Sequence, residues 1–510
     1  MTSSVADIAE PGAGGFWSVM RHRNYALLWT GQLISQLGDR LHWMAISLWV
    51  YQKTGSALSV SFAIMALLVG SAVVGVPAGA LVDRLDRRKI LVYADLIRAT
   101  LVFAIPDLME RNLLLVYVVL FLISAATAFF RPAMFACIPQ SVPRGSLLQA
   151  NALFASMDSG TEIIGPVLAG LVVSTLGYQT ALYLDGITFL ASAVLVSLLK
   201  ITNGDVGAVN PADVHQKGVF HSIVEGLRYV KNDKIQLGLL ALVLGGYWVA
   251  GLNSLQTPMA KGVLRVTDQQ FGWFQSSGGI GYVAASLLLA WCGLTLRRGH
   301  VIVAAYLLWA MAVAAVGLSA NVAMLVVANF WAGFANMIVF ISVATILMEY
   351  TPADKMGRTI TTRQVLVALM RAVSLVGFGW VADAVGVRFS ILAMATISTI
   401  GTLLAAIRFP SVWHYDGRAI GANTRLGIGV FAERILSDFF VSLVDRCSPE
   451  FAREEQVWLN SVVLAMVAAF WLVFLVAFPL QNVIATGVVA ATVIAAVVVR
   501  ALITRFGSSK

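Results

Sequence analysis

Long apolar runs parted by short polar breaks recur along the whole chain. Many of these runs are long enough to span a bilayer, since a crossing takes about 20 apolar residues. The pattern predicts helices near residues 26–49, 57–81, 90–109, 113–133, 152–174, 179–199, 236–258, 271–292, 301–319, 322–347, 362–384 and 388–407. Several connections are very short, notably Gln52 to Ser56, Pro106 to Asn112 and Ala320-Asn321. Short connections force neighbouring helices to run antiparallel. A polar linker, Thr202 to Lys217, has Gly, Asn, Pro and Asp and no apolar periodicity, and it divides the twelve helices into six plus six.

After the twelfth helix the pattern changes. Ser411 to Glu455 is charged, yet Leu426, Val430, Phe431, Ile435, Phe439 and Leu443 recur in it at helical spacing. That reads as an interfacial or docking helix. Val457 to Phe478 and Val483 to Thr504 then form two more spanning segments around the turn Pro479-Leu480-Gln481-Asn482. The expected fold is an all-α polytopic membrane protein with fourteen helices. Its parts are an N-terminal six-helix bundle (1–200), a cytoplasmic linker with an amphipathic helix at Val219–Val230 (201–235), and a C-terminal six-helix bundle (236–408). A cytoplasmic amphipathic segment (409–456) and an extra two-helix hairpin (457–510) follow.

Composition agrees. Of 510 residues, 59% are hydrophobic and 12% charged, where a soluble domain carries about 25% charged residues. The net charge of +9 raises the question of nucleic acid, but its distribution answers it. Of the 35 Lys and Arg, 27 fall in segments that a simple alternation places inside, five fall outside, and Arg40, Arg98 and Arg371 fall within helices. This is the bias of cytoplasmic loops, not a nucleic-acid patch. Both termini are therefore expected in the cytoplasm of a bacterial-type inner (plasma) membrane. Residues 1 to 20 show no compact apolar run with a small-residue cleavage site, so no cleavable leader is expected. Cys137, Cys292 and Cys447 are too far apart for a disulfide framework or a metal site.

The most specific local feature is Gly79-Ala80-Leu81-Val82-Asp83-Arg84-Leu85-Asp86-Arg87-Arg88-Lys89, a charged island between two spanning runs. The pattern Gly-x-Leu-x-Asp-Arg-x-x-Arg-Arg resembles the cytoplasmic signature loop of the major facilitator superfamily, with Asp86 where that family usually has glycine. Gly293-Leu294-Thr295-Leu296-Arg297-Arg298-Gly299 echoes it in the second half. Other stretches resemble the drug/proton antiporter branch that includes macrolide and enterobactin exporters. They are Asn24-Tyr25 through Gly38-Asp39, Phe130-Arg131-Pro132-Ala133, and Tyr183-Leu184-Asp185-Gly186. Gly160, Gly165, Pro166 and Gly170 resemble the antiporter signature of proton-coupled exporters. The resemblance covers about residues 20 to 408.

Charges within a membrane cost about 2.5–3.5 kcal/mol each on insertion scales and usually face water or a partner. Asp39, Arg40, Glu162 and Arg371 fall near the middles of their helices. A proton-coupled exporter needs a carboxylate that takes its proton on one side and releases it on the other. Asp39 and Glu162 are the candidates, with Arg40 and Arg371 as charge partners. The alternatives are a fixed ion pair of Asp39 with Arg371 or Arg98, and a Glu162 that attracts cations without titrating. Asp185 reads as a structural hydrogen-bonding group. By the resemblance, Gly79, Asp83, Arg84, Arg87 and Arg88, with Asp95 and Arg98, form a cytoplasmic gate, while the spacing of Asp95 and Arg98 also reads as a structural ion pair at the inner end of the third helix. In the gate Asp83 would cap a helix of the opposite half and the arginines would latch acids such as Asp95 or Glu349; a plain topology-setting turn is the alternative. Gln32, Asn253, Gln256, Trp273, Gln275, Trp331 and Asn336 are expected to line a substrate cavity.

No phosphate-binding Gly-Lys-Ser/Thr loop or His-Glu-x-x-His is present, so neither an enzyme nor a cofactor is expected. The expected activity is secondary active export of an amphipathic small molecule, exchanged for protons by alternating access. Expected partners are that small molecule, protons and membrane lipids, with no nucleic acid. A lipid or lysolipid transporter and a non-transporting membrane scaffold or sensor are the alternatives.

Overall fold

The computed structural model describes residues 16–82, 85–200, 227–292, 298–413 and 415. The expected linker, most of the expected amphipathic helix at 219–230, the charged segment after residue 415 and the hairpin 457–510 lie outside the described residues.

Within them the structure is helical: α1 (Arg23–Thr54), α2 (Ala57–Val82), α3 (Arg87–Arg111), α4 (Leu113–Ser141) and α5 (Leu147–Ser197) come first. Then follow α6 (Lys234–Gly246), α7 (Leu252–Thr257), α8 (Asp268–Cys292), α9 (Arg298–Leu318), α10 (Val322–Tyr350), α11 (Ala353–Val385), α12 (Val387–Arg408) and the short α13 (Pro410–Trp413). Among the described residues, eight stretches are long and apolar enough to cross a membrane, from Ala57–Gly75 to Val387–Arg408. The helices α1 and α3 are also long, at 32 and 25 residues, but carry charges within their length. Apolar side chains such as Leu114, Leu148, Leu287, Phe340, Met348 and Trp380 stand exposed on the helix surfaces, as lipid as solvent requires. This is an all-α, multi-pass membrane fold.

Local chemistry sets the helix ends. Gly55, with φ 64°, closes α1 by donating its N–H to the Tyr51 carbonyl at 2.8 Å. Asn112 caps α4 by accepting from Leu114 N at 2.8 Å, and Asn321 caps α10 by accepting from Met324 N at 2.9 Å. Asp233 caps α6 through Ile235 N and Gln236 N, both at 2.9 Å, and its second oxygen accepts from the Tyr350 hydroxyl at 2.9 Å. Asp86 is the N-cap of α3 and accepts from Lys89 N at 3.3 Å. An acid here suits the positive end of the helix.

Two helices depart from regular geometry. The 51-residue α5 is broken at Gly177 (φ 83°, ψ 171°), so it doubles back as two antiparallel parts. The run from α6 to Val263 passes through a 3-10 turn at Tyr247–Gly251, then α7, then a π-helix at Pro258–Val263. Such 3-10 and π interruptions often mark hinges or functional sites.

The chain divides into two compact units. The first comprises Met1–Val219, Ala250–Gly279 and Arg371–Ser390, and the second Phe220–Val249, Ile280–Met370 and Ile391–Lys510. In the first, a core of Tyr25, Leu28, Leu91, Phe130, Cys137, Leu153 and Phe154 ties α1, α3, α4 and α5 together. In the second, α9 is largely buried, with Tyr306 and Trp309 stacked at 6.3 Å and Gly246 leaving room for the Tyr306 ring.

The backbone at Gly177 lies in a region that only glycine occupies freely, where a side chain costs about 1–3 kcal/mol. Gly177→Ala is expected to lower the thermal midpoint of the detergent-purified protein by several degrees. Gly160→Ala is expected to leave it unchanged, because a Cβ there meets nothing within 4 Å. Equal midpoints for both variants would contradict the break at Gly177.

Candidate functional site

In the first unit α1 packs along the first part of α5, and polar contacts repeat up the seam. The Tyr25 hydroxyl donates to the Ala150 carbonyl at 2.7 Å, and Trp29 Nε1 donates to the Leu153 carbonyl at 3.3 Å. Gln36 donates to Asp158 Oδ1 at 2.6 Å and accepts from the Thr161 hydroxyl at 2.8 Å. One turn on, Arg40 pairs with Glu162. Residue numbers rise together on both sides, so the helices run parallel. A Cβ at Gly165 would collide with the stem of Arg40, so this glycine is the space in which Arg40 lies. The pair is about one third exposed on each side.

Asp39 lies next to this pair and is exposed. It makes no hydrogen bond or ion pair among the described residues. The charged groups that act on it are Asp185, Arg98, His42 and Arg40. Asp39 is thus the acid of α1 left without a fixed partner.

On its other flank α1 meets the second part of α5. Gly38 permits this, since a Cβ there would collide with Asp185 and Thr188. The buried His42 places Nδ1 3.1 Å from the buried Asp185 Oδ2. Next to them α3 contributes Asp95, paired with Arg98, both almost fully buried. The Arg98 guanidinium lies between two rings, 4.3 Å from the Phe130 centroid and 4.4 Å from that of Phe189. Desolvated cation–π contacts of this kind are worth about 2 kcal/mol or more.

The second part of the small-residue motif makes a different contact. A Cβ at Gly170 would meet the Asp268 carbonyl oxygen at 2.8 Å, and one at Gly279 would meet the Glu162 carbonyl oxygen at 2.9 Å. A Cβ at Gly272 would collide with the Pro166 carbonyl. So α5 and α8 touch backbone to backbone along Glu162, Pro166 and Gly170, the close approach that small residues allow. Gly160 faces open space.

A further device lies at the start of α2. Asp383 of α11 accepts from Ser56 Oγ at 2.5 Å, Ala57 N at 2.7 Å and Leu58 N at 3.2 Å. It caps a helix more than 300 residues away in sequence. Nearby, a Cβ at Gly379 would collide with Ser61, and one at Gly262 with the Tyr51 hydroxyl. Asp383 is absent from the expected site residues. The signal was present: an acid in the last turn of its own helix is disfavoured by the helix dipole, so it needs another partner.

The remaining expected residues are placed as follows. Asp83 and Arg84 lie outside the described residues, and Gly79 lies in the last turns of α2. Arg87 opens α3, and Arg88 donates to the Ser197 carbonyl. Glu349 pairs with Arg298, from the echo of the signature turn, while Asp95 belongs to Arg98. Arg371 makes no ion pair among the described residues, and its buried Nε has no hydrogen-bond partner there. Gln32 and Gln256 are buried, Trp273 is exposed, and Asn253 is partly buried, all in the first unit with Gln275, whose Nε2 is buried and unpartnered. Trp331 and Asn336 lie in the second unit, where Trp331 packs edge-on against Phe330 and Phe334 at 5.6 and 5.4 Å. A small pocket of the second unit is lined by Val230, Gln236, Leu347, Thr359 and Arg363 and by none of the expected cavity residues. Among the described residues no His, Cys, Asp and Glu group is arranged to hold a metal.

The model of the family described as Major Facilitator Superfamily matches residues 28–261 and 249–510. Macrolide efflux protein A of Streptococcus pyogenes is 32% identical over 224 residues, 43% of this chain and 53% of that protein. The chain thus spans about half the length of that relative. The multidrug efflux pump Tap of Mycolicibacterium fortuitum is 26% identical over 374 residues, 71% of this chain and 90% of that pump. Among solved structures, a bacterial homologue of the lysosomal transporter Spinster, inward-facing and unoccupied, superposes with a TM-score of 0.60 at 14% identity. It covers 77% of this chain and 98% of its own. The nucleoside transporter NupG does so at 0.56 and 14%, over 77% and 99%. Likeness at this identity speaks to fold alone, and it agrees with the family match. The chain belongs to the Major Facilitator Superfamily, a family of secondary transporters and not of enzymes.

Proposed function

We propose that this transporter exports an amphipathic small molecule in exchange for protons, by alternating access of two six-helix bundles, residues 1–200 and 236–408. The observation that carries the proposal is Asp39. It is an exposed acid on a membrane helix, free of any fixed partner, beside an Arg40–Glu162 pair. Asp39 differs in this from Glu162, Asp95 and Asp185, each of which lies against a basic side chain. Asp39 is the first carrier. Glu162 serves through Arg40, which a proton on Glu162 would release. The efflux proteins among the relatives support the direction of transport, and residues 409–510 are additions to the twelve-helix unit. The protein sits in a bacterial-type inner membrane with both ends in the cytoplasm, so that the Asp383 cap on α2 lies outside. There it latches the outward side while substrate and proton exchange inside.

In vesicles with an imposed pH gradient, a panel of ethidium, erythromycin and lysophosphatidylcholine separates cationic, macrolide and lipid cargo. Asp39→Asn is expected to abolish substrate-driven proton movement while the protein keeps its melting temperature. Glu162→Gln is expected to reduce coupling at least tenfold and also to lower that temperature, because it strands Arg40 in the membrane. Full coupling in both variants would refute the carrier assignment.

The latch has its own test. A helix N-cap is worth about 1 kcal/mol, or about fivefold in an open–closed equilibrium. With the native cysteines replaced, a thiol at the buried Ala57 (Ala57→Cys) is expected to react about fivefold faster from outside when Asp383→Ala is added. No change in rate would show that Asp383 does not hold this end shut.

A further inference from the structure

We propose that His42 and Asp185 form a second proton-binding site, which takes the proton that Asp39 gives up; this rests on the proton-coupled reading above. In the neutral state the imidazole faces Asp185 through Nδ1, 3.1 Å from Oδ2, and its Nε2 is buried without a hydrogen-bond partner. Neither nitrogen, nor Asp185 Oδ2, completes a well-aligned hydrogen bond. A purely structural His–Asp pair in so dry a place would have satisfied these groups, because leaving them unmet costs about 1–3 kcal/mol each. The position is also built: Gly38 leaves the space that Asp185 and Thr188 occupy against α1.

Charge counting points the same way. Beside the neutral Arg40–Glu162 pair, the cluster holds three carboxylates, Asp39, Asp95 and Asp185, and one guanidinium, Arg98. With His42 neutral and the acids ionised, one positive and three negative charges leave an excess of two negatives. Asp95 is held by Arg98, so the groups available to take protons are Asp39 and the His42–Asp185 pair. Of the other elements packed on α1, the 3-10 turn Phe16–Arg21 carries Arg21, which is exposed. The sequences of α2 and α7 contain no charged residue, and the charged residue of α4, Arg131, is exposed.

His42 lies three residues after Asp39 on the same helix, where side chains are neighbours. In the transfer, the O–H of the Asp39 carboxylic acid breaks and an N–H forms at His42 Nε2. The products are an Asp39 carboxylate and an imidazolium whose charge Asp185 balances. No electrons move, and the proton count is unchanged. Histidine suits the step because its unperturbed titration lies near neutrality. The pair then stores the proton behind Asp39 while Asp39 changes the side it faces.

Histidine labelled with 15N, in the full chain in detergent, tests this between pH 5 and 9. The chain has six histidines, so His42 is assigned by His42→Gln or, if that variant does not fold, by substituting the other five in turn. His42 is expected to titrate in this range, with a midpoint lowered by about one pH unit on Asp39→Asn and again on Asp185→Asn, since each removes a nearby negative charge. In vesicles, His42→Gln is expected to lower the protons moved per substrate while substrate affinity at fixed pH stays within twofold. An imidazole that does not titrate, or whose midpoint ignores both substitutions, overturns the proposal. If unmodified protein moves no protons in vesicles, the exporter reading fails, and the titration still decides whether the site binds a proton.

Discussion

A charge placed among acyl chains must find a partner or water, and the first unit is arranged around that constraint. Within one stretch of α1, Arg40 goes to Glu162 and His42 to Asp185, while on α3 the Asp95–Arg98 pair sits between two phenylalanine rings. The two pairs made by α1 fix its azimuth against both parts of α5. The glycines follow from the charges: Gly165 is where Arg40 lies and Gly38 is where Asp185 lies. Asp39 has no such partner, and in the proposed function it is the group that gains and loses a proton.

The same unit carries two helix contacts of opposite kind. Backbone-to-backbone contact between α5 and α8 at Pro166, Gly170 and Gly272 removes the side chains that would interlock them. Contacts of this kind hold through many weak terms and are compatible with rocking. The cap from Asp383 to the start of α2 is the opposite kind of contact. It is directional, built on three hydrogen bonds, and either made or broken. The interrupted helix between α6 and Val263 adds a place where the backbone bends without unfolding.

Much of the helical framework was legible in the apolar runs, because lipid allows no other solution for a long apolar segment. Each of the twelve stretches expected up to residue 407 is helical, with ends that shift by several residues where caps decide: Asp86 starts α3 early and Ser141 ends α4 late. The fifth and sixth expected helices were parted between residues 174 and 179, and the structure breaks there, at Gly177. The site was legible only as a set of charges within apolar runs. Which charge meets which depends on helix rotation, and spacing along one helix does not set the rotation of its neighbour. Hence Arg40 and Arg371 were expected as charge partners with no mate assigned, and a pairing of Asp39 with Arg371 or Arg98 was the alternative; in the structure Arg40 pairs with Glu162. His42 went unread because a lone histidine carries no signal until Asp185 is placed opposite it. Asp86, unusual against the family pattern, became intelligible once its side chain was seen to cap α3.

The central claim is that an unpaired acid on α1 exchanges its proton when substrate binds. The most direct measurement is proton release from the purified full chain in weakly buffered detergent, followed with a pH indicator as ethidium or erythromycin is added near neutral pH. The account predicts release that saturates with binding and is lost in Asp39→Asn, which still binds the compound. Saturable binding with no proton released at any pH from 5 to 8, or undiminished release from Asp39→Asn, would contradict it.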